Sequence, residues 1–498
     1  MYLMGVDLGT SSVRVMILRE DGKRMALAAQ PYDISIPRPR YAEQDPDMWY
    51  QKTVLAIQKA LAEFGYPARE IAALGFSGQM HGLVAVDAAG RPVRPAMIWM
   101  DQRSDRQIAA IYEKLGRAFV REQIQNTISP GFLLASLCWL REEELGSFSR
   151  IRRVMLPKDY LKYRLSGEIC TDESDAAGSA AFDNVRRRWA VELLDRLEFG
   201  KELFPCCRSS TALIGTICLR AAKETGLAPG TRVINGGSDQ CMQGIGNAII
   251  SEGDFACNIG TAGQISTCSG KPVFDRELRT NTFAHALPNR WNIMGACLSS
   301  GVSLKWLAHS VLGVSDFQEL DRGAENRPAG CGGLLFLPYL AGERTPHLDP
   351  DARGVFFGLT MARDRFDLAR AVMEGVVYSL KDCIGVLEEM GLVCRRVIAS
   401  GGGANSPLWL QMQADIFERE VYRSLSNEQA CLGAAITAGV GAGVYRNFEE
   451  PCGSLVQLDR RVWRPNPENV RAYRSYYPIF QELYRVNKPV FGVLAGKG

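Results

Sequence analysis

The sequence predicts an α/β protein built from two similar halves. Two observations carry this. Short apolar runs that end in glycine alternate along the whole chain with stretches whose apolar residues recur at helical spacing. One unit, a strand-like run, a Gly-Thr turn and a second strand-like run, occurs twice, 251 residues apart in a chain of 498.

The first copy is Tyr2 to Leu8, the turn Gly9-Thr10-Ser11-Ser12, and Val13 to Leu18, with Asp21-Gly22 as a further hairpin turn. Residues 47–64 place Trp49, Val54, Ile57, Leu61 and Phe64 on one helical face. Ile71 to Phe76 reads as a buried strand that leads into the loop Ser77 to Gly82. Helical patterns are expected over 157–168 and 183–204, on either side of a polar loop from Thr171 to Gly178. The second copy spans Asp254 to Thr267, around Gly260-Thr261. A helix from Val302 to Leu312, an apolar run from Leu334 to Leu340, a helix from Asp367 to Met390 and a strand from Val397 to Ser400 follow. The last strand ends in Gly401-Gly402-Gly403-Ala404-Asn405. Beyond Arg461 the tail reads as a surface helix with Tyr473, Tyr477 and Phe480 on its apolar edge. No linker or low-complexity stretch separates the halves, so any relative motion is expected to be a hinge within a continuous interface.

Composition excludes several function classes. Lys and Arg number 58 against 55 Asp and Glu, a net charge of +3, so bulk charge does not recruit nucleic acid. Fourteen cysteines include no C-x-x-C pair, and the only histidines are His81, His285, His309 and His347, so no zinc pattern can be drawn. Reduced, mostly buried thiols in a cytoplasmic protein are expected. Asp7 interrupts the first apolar run, which does not read as a signal peptide. An uncharged run from Ala430 to Tyr445 has 16 residues and four glycines. It is too short to span a bilayer and reads as a tightly packed buried helix.

Three glycine-rich turns follow strands, at 9–12, 260–263 and 401–405. Strand ends that expose backbone N–H groups and short hydroxyls make anion sites. Asp7 lies just before the first turn, and a carboxylate beside phosphates is a usual holder of Mg²⁺. Neither a Walker P-loop nor a G-x-G-x-x-G motif follows the first strand. Together these point to nucleotide binding. Asp239 follows a strand and two glycines, which allows either a helix-capping aspartate or a general base. His81, in a glycine-flanked loop, is either a satisfied polar residue or a group facing a cleft.

Several motifs stand in an order that resembles the FGGY family of carbohydrate kinases. They are Asp7 to Ser11, Gly78 to Gly82, Trp99 to Arg103, Pro157 to Leu161, Ser174 to Gly178, Gly237 to Asp239, Leu337 to His347, Gly354 to Leu359 and Gly401 to Ala404. The resemblance covers essentially the whole chain. It implies two actin-like, ribonuclease H-like ATPase domains with an interdomain cleft. Residues 1–247 would form the N-terminal domain, which binds sugar and carries the base. Residues 248–498 would form the C-terminal, nucleotide-binding domain. By the same resemblance Asp239 is the catalytic base, and Asp7 and Asp239 are the carboxylates on the Mg²⁺ side. Met80, His81, Asp239 and Gln240 contact the sugar, and Trp99 lines its pocket. Thr10, Ser11, Gly260 and Thr261 meet phosphates, while Gly301, Gly402, Gly403 and Asn405 hold the nucleoside end.

The expected partners are ATP and a small-molecule sugar, with no nucleic acid and no membrane, and a homodimer is left open. By the same resemblance, the loops Gly78 to Gly82 and Gly342 to His347 are similar to those of family members that phosphorylate an open-chain ketopentose, D-xylulose, at its 5-hydroxyl. Another ketopentose, a polyol or a sugar acid is the alternative within the family, because Gln240 stands where many such members carry asparagine. Ser136, Asn258 and Ala262 are further departures. A different-class alternative is an actin-like nucleotide switch, which would hydrolyse ATP without a sugar; a base candidate and a polar sugar loop argue against it.

Overall fold

A computed structural model describes residues 1–496; Lys497 and Gly498, at the end of the expected tail helix, lie outside the described residues. Two seven-stranded sheets organise the chain. The first contains β1 (Tyr2–Leu8), β2 (Ser12–Arg19), β3 (Arg24–Pro31), β4 (Ile71–Gly78), β5 (Leu213–Thr216), β6 (Arg232–Ile234) and β7 (Gly237–Ser238). The second contains β8 (Asp254–Ile259), β9 (Gly263–Ser269), β10 (Asn281–Ala284), β11 (Trp291–Cys297), β12 (Arg396–Ser400), β13 (Glu420–Ser424) and β14 (Leu458–Trp463).

The strand orders are β5-β6-β4-β1-β2-β3, with β7 added beside β4, and β10-β11-β9-β8-β12-β13-β14. Their directions correspond. β1 pairs antiparallel with β2 and parallel with β4, as β8 pairs antiparallel with β9 and parallel with β12. This repeated arrangement is the ribonuclease H-like fold, and the repeated Gly-Thr unit is its central hairpin. The two hairpins differ by one residue. Leu8 pairs with Val13 across the first turn, whereas Ile259 pairs with Gly263 across the second.

Helices cover the sheets: α1 (Pro46–Phe64), α2 (Pro157–Ser166), α3 (Asp239–Gly246), α4 (Gly301–Trp306), α5 (Arg365–Glu389), α6 (Pro407–Phe417), α7 (Gln429–Gly441) and α8 (Pro467–Ala495). Local chemistry sets their ends. The Asp45 side chain accepts the Asp47 N–H and Pro46 opens α1, while Gly65 closes it at φ 70°. Asp364 and Asp367 form a capping box at the start of α5. Tyr473 and Phe480 of α8 are buried, and the Tyr477 hydroxyl donates to Asp382 at 2.6 Å.

The uncharged run is α7, and it joins the halves. It follows β13 of the second sheet, yet it lies across β1 and β4 of the first sheet and against α3. Glycine permits this approach. A Cβ on Gly5 would stand 2.1 Å from the Cys431 carbonyl oxygen, and one on Gly75 would stand 2.2 Å from that of Ala434. On the α3 side, a Cβ on Gly433 would stand 2.0 Å from the Met242 oxygen, and one on Gly246 2.0 Å from the Gln429 oxygen. Leu3, Leu18, Ala73 and Ile234 of the first half therefore share one core with Ala434, Ile436 and Ala438. Residues near 247 separate the strands of the two sheets, and they do not divide the core.

One expected helix is overturned. Residues 183–204 form a two-stranded hairpin (Phe182–Asp183 with Arg188–Trp189), one short helix (Val191–Arg196) and a 3-10 turn (Lys201–Leu203). Here polar contacts outweigh apolar periodicity. The Asp183 carboxylate accepts the Val185 and Arg186 N–H groups, and the Asn184 side chain joins the Ile124 carbonyl to the Ala284 N–H. Likewise the segment from Thr171 to Gly178 is not a loop. It completes a strand (Cys170–Asp172) and turns into a one-turn helix capped by Asp172. All fourteen cysteines are free thiols, most of them buried. Among the described residues, no helix is long and apolar enough to cross a membrane.

Two glycines test the α7 packing. Gly385 lies inside α5 with nothing within 4 Å of an added Cβ. Gly385→Ala is expected to stabilise the protein by about 1 kcal/mol through helix propensity. Gly433→Ala makes the same local gain, but its Cβ meets backbone, so a net loss of about 2 kcal/mol or more is expected. Urea midpoints of the two variants check the opposite signs.

Candidate active site

The first turn is built on a buried acid. Asp7 stands opposite Ser77 on β4, whose hydroxyl donates to Asp7 Oδ1 at 2.7 Å. Burial holds the Asp7 carboxyl above its ordinary value, against the opposing pull of the Ser77 hydrogen bond and Arg14. The Gly9 N–H donates to Ser12 O within the turn, and the Gly260 N–H to Ala262 O within the second. The glycine N–H groups expected to meet an anion are thus already used. Among the described residues, the N–H groups of Thr10, Ser11, Thr261 and Ala262 have no protein acceptor. These four are the N–H groups of the turns left free for an anion.

Gln44 braces the first turn. Its amide donates to Thr10 O at 2.8 Å and accepts from the Trp49 indole at 3.1 Å and from Gln79 at 3.0 Å. Half-exposed Trp99 donates its indole N–H to Thr10 Oγ1 at 3.0 Å, so the residue expected in the sugar pocket touches the first Gly-Thr turn.

Met80 and His81 follow β4. His81 has φ 75°, and its Nδ1 lies 2.7 Å from Gly178 O. Only a protonated Nδ1 can donate there. Burial lowers the imidazole to about 4, so the ring is neutral at physiological pH with Nε2 free as an acceptor. The ring stacks on Phe132 at 4.0 Å. A Cβ on Gly178 would stand 2.9 Å from His81 Nδ1, in a ring already held by the Gly178 carbonyl and the Phe132 stack. Met80 packs with Ala176, Phe182 and, from the second sheet, Phe283 and Ala284.

Asp239 opens α3 immediately after β7 and is partly exposed. Burial first, then the Asp7 and Asp175 carboxylates, push its carboxyl up to about 8. Oδ1 accepts the Gln240 N–H at 2.8 Å. The Gln240 side chain accepts from Gln264 on β9 at 2.9 Å, across the two halves. Beneath Asp239 lies a cluster that the sequence displayed without a role. The Ser238 N–H donates to Ser174 Oγ at 3.0 Å, and that hydroxyl donates to Asp172 at 2.5 Å. Lys158 Nζ contacts Asp172 at 2.5 Å, Asp175 at 2.7 Å and Asp159 at 3.0 Å, and Lys162 contacts Asp159 at 2.8 Å. Every member is buried. Asp159, Asp172 and Asp175 converge as a metal triad would, but the Lys158 ammonium supplies the cation. Burial alone would lower Lys158; the three carboxylates outweigh it and hold it well above its ordinary value.

The second turn opens on a cavity of about 580 Å³ that brings together Gly260, Thr261, Gly301, Gly402, Gly403 and Asn405. Ile259, Phe317 and Trp409 are among its apolar walls. Gly301 passes so close that a Cβ would stand 2.3 Å from Gly260 O, and Gly401, at φ 77°, leaves space only for Asn258 Oδ1. Sequence reasoning missed Phe317, Gln318 and Asp321. Their spacing marks one helical face, but nothing local shows that this face turns toward the glycine loop.

Residues 2–246 match the N-terminal domain of the FGGY family of carbohydrate kinases, and residues 255–442 match its C-terminal domain. The chain belongs to this family. The FGGY kinase is 35% identical to a xylulose kinase from Escherichia coli K12, over 98% of this chain and 100% of the relative. It is 30% identical to a gluconokinase from Bacillus subtilis 168, over 97% of this chain and 96% of the relative. Its structure superposes on that of a ligand-bound xylulose kinase from Lactobacillus acidophilus with a TM-score of 0.92, at 27% identity, covering 99% of each chain. The protein is therefore a sugar kinase, a phosphotransferase that uses ATP, and the nucleotide-switch alternative is set aside.

The kinase's Lys158 cluster yields a stability prediction. Lys158→Met removes the cation shared by all three buried carboxylates and leaves only Lys162, which reaches Asp159. A loss of about 3–5 kcal/mol is expected, read from the denaturant midpoint.

Proposed function

We propose that this kinase transfers the γ-phosphoryl group of ATP to the 5-hydroxyl of D-xylulose, giving D-xylulose 5-phosphate. The observation that carries the reading is the shared end of three adjacent strands: Leu8 of β1 lies opposite Gly78 of β4, and Gly78 opposite Ser238 of β7, so Asp7 and Asp239 stand at one edge of the sheet. Their carboxyls interact where the first Gly-Thr turn, the His81 loop and the start of α3 meet. The xylulose kinase relatives support D-xylulose as the acceptor.

In this reading Asp239 Oδ1 is held by the Gln240 N–H, and Oδ2 takes the proton of the sugar hydroxyl. The sugar oxygen forms its bond to the γ-phosphorus as the bond to the β-phosphate oxygen breaks, and ADP leaves. The Thr10 and Ser11 N–H groups on one side, and those of Thr261 and Ala262 on the other, donate to phosphate oxygens as charge shifts. Because each pair comes from a different sheet, the donor set is complete only when both halves meet at the nucleotide. Mg²⁺ suits the acids present. Among the described residues the one hydrogen-bond donor to Asp7 is Ser77, at Oδ1, and burial raises the carboxyl. Asp7 would hold the ion, which offsets phosphate charge when bound, and Asp239 keeps Oδ2 for the sugar hydroxyl. Neutral His81 accepts a sugar hydroxyl at Nε2, and Gln240 donates to a neighbouring oxygen.

A sugar acid is the second reading. The gluconokinase relative favours it, as does the Arg344 guanidinium. That cation lies close enough to depress His81; among the described residues it makes no salt bridge, and the neighbouring Glu343 only partly opposes the burial that lowers it. ADP release measured with D-xylulose, gluconate and a set of polyols decides between them. D-xylulose is expected to give the highest kcat/KM, and a higher value with gluconate would overturn the proposed substrate.

Asp239→Asn is expected to lower kcat by about 10²- to 10⁴-fold while ATP and sugar still bind. Near-normal turnover would remove Asp239 as the base. A base acts ionised, and this one is raised, so kcat/KM should fall as pH drops through a limb lying toward about 8. That limb should be absent from the residual activity of Asp239→Asn.

A further inference from the structure

The contact between Gln240 and Gln264 crosses the two halves at the residue after Asp239. Gln264 lies on β9, three positions after Thr261 on the same hairpin. Its Nε2 has two hydrogens. One is donated to Gln240 Oε1 at 2.9 Å, and Nε2 also stands 3.3 Å from Met294 Sδ on β11. A primary amide can present either its oxygen or its NH₂ group to a neighbour, and the two faces have nearly the same shape. With Oε1 held by Gln264, the face that Gln240 has left for another partner is its NH₂. His81 is constrained in the opposite sense, because its Nδ1 hydrogen is committed to Gly178 O and its Nε2 lone pair is left.

We propose that Gln264 is a positioning residue that selects which face of the Gln240 amide meets the acceptor sugar. This inference rests on the reading of Gln240 as a sugar contact. The pocket then offers one donor, from Gln240, and one acceptor, from His81, beside Asp239. It suits a neutral polyhydroxy ketone whose acceptor-only carbonyl oxygen meets Gln240 and whose hydroxyl donates at His81. Because Gln264 and the Thr261 turn share one hairpin, the second half orients the sugar as well as the nucleotide. Specificity in this kinase is thus built by both halves, through a residue that needs no contact with the substrate.

The test is a double-mutant cycle read on both substrates. Gln264→Glu replaces the donor by an acceptor of the same size. Gln240 then turns its NH₂ toward the introduced carboxylate and presents Oε1 to the sugar, opposite an oxygen that also accepts. The sugar KM should rise roughly 10-fold or more, with the ATP KM changed less than about two-fold. Gln264→Leu only frees the amide and should have a smaller effect in the same direction. In a Gln240→Ala background, Gln264→Glu should add nothing further to the sugar KM. An unchanged sugar KM in Gln264→Glu, multiplicative effects of the two substitutions, or an equal rise in ATP KM would each overturn the proposal. If Gln264→Glu lowers the melting temperature sharply, the Gln264→Leu cycle gives the same decision. The cycle is run with whichever sugar the unaltered enzyme phosphorylates best. A substrate other than D-xylulose would then overturn the proposed acceptor without touching the coupling result.

Discussion

The backbone contact of α7 with β1, β4 and α3 is the constraint on which the rest of the molecule depends. Helix and sheet normally keep a side-chain layer between them. Here Gly5, Gly75, Gly246 and Gly433 remove that layer at four points and let main chain meet main chain. One helix of the second half thereby becomes part of the core of the first. The first Gly-Thr turn starts from a strand fixed by this packing, and the second belongs to the sheet that carries α7, so their mutual placement is inherited from it. A hinge between the halves has to work around this shared core, since no flexible linker joins them.

Around that spine the site is organised by charges withdrawn from water. Lys158 and Lys162 hold three buried aspartates, and a chain of hydrogen bonds runs from Asp172 through Ser174 to the backbone just before Asp239. Such a cluster is costly to bury, and breaking it costs more than it contributes intact. Its effect here is positional. The start of α3 is tied to an array that cannot move without exposing an unpaired charge, and Asp239 stands on it. The same burial, with Asp7 and Asp175 nearby, keeps the Asp239 carboxyl near neutrality and sensitive to any cation that arrives.

Much of the site was legible along the chain, for a local reason. Asp7, Thr10, Thr261 and Gly402 each stand at or beside a glycine turn after an apolar strand, and both features are written within a few residues. The periodicities of α1, α5 and α7 were equally readable. The segment from 183 to 204 was not, because Asp183 and Asn184 spend their side chains on backbone groups and override the apolar spacing. Lys158, Ser174 and Gln264 were visible as residues but not as partners, since each acts through a group on another element.

The sequence by itself determined the α/β class, the doubled hairpin, the membership implied by its ordered motifs, and the residue types available for phosphoryl transfer. These follow from backbone sterics and side-chain chemistry that operate over a few neighbouring positions. Only the tertiary structure decided that the glycine N–H groups of the turns are spent internally, that Lys158 fills an acidic triad, and that Gln264 reaches Gln240. Those outcomes depend on which distant elements are pressed together. The close approach of α7 to the first sheet settles that, and no local pattern encodes it.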